Sequence, residues 1–185
     1  MSDYRALSDV GKVLIRLLEA GINEGGPFHD IIDSSEKITQ SSPEELSNNH
    51  LLSVFLYQIT EDTYQKNQGM QIGDSDVLRR PPICLNLFYL IAANTNSAEN
   101  DNIVMGKVIQ IFNDNPVLKG SVLYDTSLDG ESLNLIFNPL SLDEINKIWI
   151  MLSKSKPYKL SAYYEVTPVR IDASSEMTVS RVSEI

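Results

Sequence analysis

The chain has 185 residues, a length at which one compact domain burying roughly 70% of its unfolded surface is the usual outcome. Apolar residues make up 42% and charged residues 22%, a balance that offsets the entropy of ordering and excludes a wholly disordered chain. The formal net charge of −10 sets the bulk surface against phosphate backbones and anionic headgroups, so nucleic acid is not an expected partner.

A single cysteine, Cys84, permits no internal disulfide framework, and its place inside an apolar run marks it as a buried thiol. The first seven residues mix acid and base and lack the order of a secretion signal, which gives the expectation of a chain made and kept in the cytoplasm. The longest apolar stretch, Ile83–Ala93, contains Asn86 and is well short of the ~20 residues of a membrane-spanning helix.

Leu7, Val10, Leu14, Leu17 and Leu18 recur at helical spacing, with Ser8 as the expected N-cap and Gly21 as the stop. Residues 25–49 are rich in Gly, Pro, Ser, Asn and Glu and predict a long loop with one edge strand. Residues 51–60 and 83–93 are apolar on both alternating faces and predict central strands. The polar segment between them ends in Arg79-Arg80-Pro81-Pro82, whose prolines enforce an extended entry into the second strand, as a long antiparallel hairpin allows.

Ile103, Val104, Val108, Ile111 and Phe112 return to helical spacing, and Asn115-Pro116 closes that helix. Residues 122–124 and 133–137 flank Asp129-Gly130, a pair suited to a tight turn, and predict a short peripheral hairpin. Ser141 and Glu144 form a capping box, with Leu140 and Ile145 as its hydrophobic staple. They open a third helix whose expected buried stripe is Leu142, Ile145, Ile148, Trp149 and Leu152. In residues 158–169, Leu160, Ala162, Tyr164 and Val166 alternate with Lys159, Ser161, Tyr163, Glu165 and Thr167, predicting one core face and one wet face. The outcome is an α+β fold in one domain, residues 1–171, with a mixed, mainly antiparallel sheet, about three helices packed on it, and a flexible tail at 172–185.

Chemistry-bearing patterns are scarce. His29 with Asp30 and Asp33 is the nearest approach to a metal cluster, and neither histidine has a second His or Cys at ligand spacing. Gly11-Lys12 and Gly106-Lys107 superficially match a phosphate loop but fall inside predicted helices without the preceding glycine-rich turn. No catalytic residue, cofactor site or metal site is assigned, and the expectation is a non-enzyme. Arg79 and Arg80 are candidate anchors for an acidic partner, Tyr163 for an aromatic contact, and Met177, Val179 and Val182 for a tail strand that adds to a neighbour.

The order of segments carries a further signal. The run 82–90 (PICLNLFYL), the helix leading to Asn115-Pro116-Val117-Leu118, the run 140–145 (LSLDEI) with Trp149, and Pro157-Tyr158-Lys159-Leu160-Ser161 followed by Tyr164-Glu165-Val166 resemble one family from about residue 7 to 171. It is the N-terminal domain of the cap, or tube terminator, of phage-tail-like contractile injection systems, related to the antifeeding prophage and the Photorhabdus virulence cassette. The resemblance implies a structural subunit that forms a homohexameric ring with copies of itself, closes the baseplate-distal end of the inner tube and meets the last ring of sheath. It implies assembly in the bacterial cytoplasm, in a particle that is released or membrane-associated, with no direct membrane insertion. Some members are longer, with a further C-terminal region after the strand matching residues 158–172. The alternative from a different class is a non-catalytic adaptor linking the particle to another cellular component. A hydrolase stands third, with no residue to support it.

Overall fold

The structure is a computed structural model that describes residues 3–47, 49–63, 71–72, 77–152, 158–174 and 176–178. Its elements run α1 (Ala6–Asn23), α2 (Pro27–Ile31), β1 (Ile38–Thr39), β2 (Leu52–Glu61), β3 (Gln71–Ile72), β4 (Val77–Arg79), β5 (Ile83–Ala93), α3 (Ala98–Asp114), β6 (Val117–Lys119), β7 (Ser132–Phe137), α4 (Leu142–Leu152), β8 (Ser161–Ile171) and β9 (Glu176–Thr178). Six strands form one sheet in the order β1-β2-β5-β8-β7-β6. β1 lies parallel to β2 and every other pair in that sheet is antiparallel. The α+β class and the mixed, mainly antiparallel sheet are as the sequence predicts, with short α2 added to the three expected helices.

β5 is the centre because it is apolar on both faces. Leu85, Leu87, Tyr89, Ile91 and Ala93 point into the main core with α1, α2 and α3, whereas Leu90 and Ala92 point the other way, into a smaller cluster under α4. Period-two alternation thus feeds two cores from one strand. The main core takes Val10, Val13, Leu14 and Leu18 from α1, Val104, Val108 and Phe112 from α3, and Tyr164 and Val166 from β8. Phe112 and Tyr164 meet edge to face at 4.9 Å.

Several boundaries move for identifiable reasons. Ser8 lies inside α1, because Asp3 supplies the first-turn acceptors upstream: its carboxylate accepts from the Arg5 N–H at 2.8 Å and its carbonyl from the Ala6 N–H at 3.0 Å. Gly21 does not end α1 either; it is buried where Ile111 of α3 presses against it, a contact that a Cβ would obstruct. In the expected loop 25–49, Gly26 at φ 81° and Pro27 at the first helical position start α2, which buries Phe28, and β1 is the predicted edge strand. The hairpin strand expected at 122–124 is displaced upstream to β6, since Leu118, Leu123 and Leu128 all plug the core and leave 120–131 as turns around Gly130.

β8 corrects the one-wet-face expectation. Tyr163 is buried, because α4 lies across that face of the sheet. Past the main sheet, β4 pairs with β9 (Arg79 opposite Glu176) just beyond the Ile83–Ile171 pair of β5 and β8, and β3 completes a small three-stranded sheet. No described helix is long and apolar enough to cross a membrane.

Candidate assembly surfaces

α4 is fixed from its own first turn. Ser141 N–H and Oγ both donate to the Glu144 carboxylate, at 2.8 and 2.6 Å, and Glu144 N–H returns a bond to Ser141 Oγ at 3.3 Å. These bonds hold the Glu144 carboxyl below the usual carboxylate range. Leu140 and Ile145, the expected staple pair, both pack against the smaller cluster. Trp149 then seats on the sheet, where its indole N–H donates to Tyr163 Oη at 3.1 Å and Tyr57 meets Tyr163 edge-on at 6.0 Å. Burial pushes the Tyr57 hydroxyl up to about 12 and raises Tyr163, so both phenols remain protonated. Leu142 departs from the expected stripe, lying 86% exposed; Ile150, on the same flank, and Met151 are also exposed.

On the opposite face of the sheet, α3 and β7 enclose an apolar groove of about 310 Å³ lined by Ile109, Phe112, Pro116, Leu135, Phe137 and Tyr164, with Asn113 at its rim. Phe137 stacks edge-on against Tyr164 at 5.3 Å. The groove stays open because β6 pairs with β7 only as far as Asn134, apart from one bond from the Leu135 N–H to the Pro116 carbonyl.

A third feature is polar. Asp9, nearly buried on α1, accepts from Lys12 Nζ at 2.8 Å, Ser127 N–H at 3.0 Å and Ser127 Oγ at 2.8 Å. Burial would raise its carboxyl, but the bonds from Lys12 and Ser127 outweigh it and bring the group down to about 2. This contact clamps the 120–131 turns onto α1 and is a structural anchor.

The expected site residues are scattered. Arg80 is exposed at the entry to β5. Arg79 ends β4 and is paired with Glu176, while Met177 of β9 is paired with Leu78 of the same chain. Tyr163 is interior and offers no contact surface. Val179 and Val182 lie outside the described residues. His29 sits on α2 and His50 shares a 2.9 Å hydrogen bond with Ser47. Among the described residues no group of three His, Cys, Asp or Glu is placed to hold a metal ion. Gly11-Lys12 and Gly106-Lys107 are both within helices, as expected. The groove was missed by sequence reasoning; its signal is apolar Ile109 lying off the buried stripe of α3, just as Ile150 lies off that of α4.

The described surface therefore offers apolar patches on both faces of the sheet of an α+β fold. The chain belongs to the Pvc16 N-terminal domain family, whose model matches residues 9–184. Its fold is similar to the cryo-EM structure of the sheath/tube terminator of an extracellular contractile injection system, PVC, in the extended state: TM-score 0.65 and 23% identity, over 96% of this chain and 61% of that one. It is also similar to the anti-feeding prophage cap, a tube terminating cap, with TM-score 0.51 and 22% identity over 72% of this chain and 48% of that one. The chain thus spans about three-fifths and about half of those two proteins. No curated protein matches this sequence.

Proposed function

We propose that this protein is a structural cap subunit of a contractile injection system, closing the baseplate-distal end of the inner tube and contacting the last sheath ring. The observation that carries the proposal is family membership across residues 9–184, supported by the fold likeness to two tube terminators. The role requires binding energy and shape rather than chemistry, and polar anchors such as Asp9 are absorbed in holding the fold.

In this reading the copies form a homohexameric ring matching the tube, through heterologous contacts that close after a fixed rotation. Tube and sheath proteins are the partners, and the site of assembly is the bacterial cytoplasm. The protein performs no catalysis; residues 1–171 supply the ring body, and residues 172–185, with exposed Arg80, supply further contacts.

The test is deletion of the gene followed by electron microscopy of purified particles, scoring tube and sheath length. Broadly distributed lengths, or loss of sheathed particles, are expected. Intact particles of normal length would overturn the cap reading and favour an adaptor.

A further inference from the structure

Five of the exposed large apolar side chains of the described residues fall into two sets. Leu142 and Ile150 lie on one flank of α4, eight residues and thus about 80° apart around the helix, and Tyr158 stacks against Trp149 beside them at 5.3 Å. Ile109 and Phe137 stand at the mouth of the α3–β7 groove. The first set is convex and the second concave. They stand on opposite faces of one sheet, separated by the layer of β5, β8 and β7, so a single copy cannot bring them together.

We infer that the exposed flank of α4 in one copy seats in the α3–β7 groove of a second copy, giving a head-to-tail interface between subunits. This rests on the cap reading for its closure into a ring, but the contact itself follows from the two patches. A patch on one face that fits a pocket on another generates heterologous association, which closes or propagates but never stops at a symmetric dimer. The groove, at about 310 Å³, has room for an Ile150 or Leu142 side chain against Phe112, Leu135 and Tyr164.

The area is sufficient. The five patch residues are exposed by 41% (Ile109) to 86% (Leu142); at roughly 200 Å² for a large side chain, their exposed parts amount to about 600 Å² of apolar surface. With ~60% of an interface core being apolar, the whole contact would cover about 1,000 Å², matching the ~1,000 Å² that a specific interface needs. The groove lining is uncharged, with Asn113 at its rim, and on α4 Asn146 lies between Leu142 and Ile150 while the neighbouring Asp143 is paired with Lys147 at 3.8 Å.

The test uses the whole chain with Ile150→Glu on the convex patch and Ile109→Glu on the concave one. Both positions are solvent-exposed, and a circular dichroism melt confirms that each variant folds. Light scattering coupled to size exclusion is expected to show a closed ring for the natural sequence and monomer for each variant. An equimolar mixture of the variants is expected to recover a 1:1 dimer and no ring, because each partner retains the half that the other has lost. Rings from either variant, dimers of a variant alone, no recovery on mixing, or a natural chain that stays monomeric at its solubility limit would each overturn the inference. Rings that survive both substitutions leave the cap reading standing through another interface. Normal particle length after gene deletion sinks the cap reading and leaves this contact intact.

Discussion

Asp9→Asn isolates the clamp between α1 and the 120–131 turns. The carboxylate is nearly buried and held at about 2 against an ordinary value of 3.8, so its ionised form stabilises the folded state by about 2 kcal/mol. The sign follows from the depressed value: the contribution is complete above pH 4 and is lost as the pH falls through the folded-state value near 2. At neutral pH the amide keeps an acceptor for the Ser127 N–H but loses the charge that Lys12 and both Ser127 donors complement. For a domain of this length the expected loss is about 2 kcal/mol at pH 7, or roughly 4–8 °C in Tm. Paired urea titrations of the two proteins between pH 7 and pH 2 should show that difference narrowing below pH 4 and mostly gone at the acid end. Equal stability at pH 7, or a gap that persists unchanged at pH 2, would refute the clamp.

Tyr89 presents the opposite case: its hydroxyl is fully buried without a partner among the described atoms, and burial raises its ionisation well above that of an ordinary phenol. Tyr89→Phe is expected to raise stability by about 1 kcal/mol, seen as a higher urea midpoint at unchanged slope; a loss of stability would show that the hydroxyl is bonded in solution. Two helical glycines should respond with opposite signs. Gly106→Ala, with open space around the new methyl, is expected to gain about 0.5–1 kcal/mol in thermal unfolding. Gly21→Ala drives a methyl into Ile111 and should lose about 1 kcal/mol despite its better helix propensity; equal gains would mean that α1 and α3 are not pressed together there.

The elements that could be read from the sequence are those set by neighbours a few residues away. Ser141 and Glu144 fix the start of α4 by a contact three residues long, and that start is where the capping box puts it. The apolar runs of β2 and β5 announce burial on both faces; β5 meets this as the central strand, whereas β2 is buried on both faces only over residues 52–54 and exposes Gln58 and Ile59. What could not be read depends on where distant segments land. Tyr163 occupies a nominally wet position, and only the arrival of Trp149 from α4 makes it interior. Gly21 has the composition of a stop signal, but Ile111, ninety residues away, turns it into a packing site. The groove is a property of no segment: Ile109 and Phe137 are unremarkable until α3 and β7 face each other across a gap that short β6 leaves open.

The double role of β5 bears on how this chain can drift over generations. Odd-numbered side chains from Leu85 to Ala93 answer to one packing environment and Leu90 and Ala92 to another, so a one-residue slip would exchange the two sets. Such a strand is checked twice, and its register is locked by whichever core is less forgiving. Substitutions should therefore accumulate slowly along β5 and freely at exposed positions such as Ser132 and Asn134 of β7, where only one face is under scrutiny. Distant relatives would then remain recognisable by this central strand long after their surfaces have diverged.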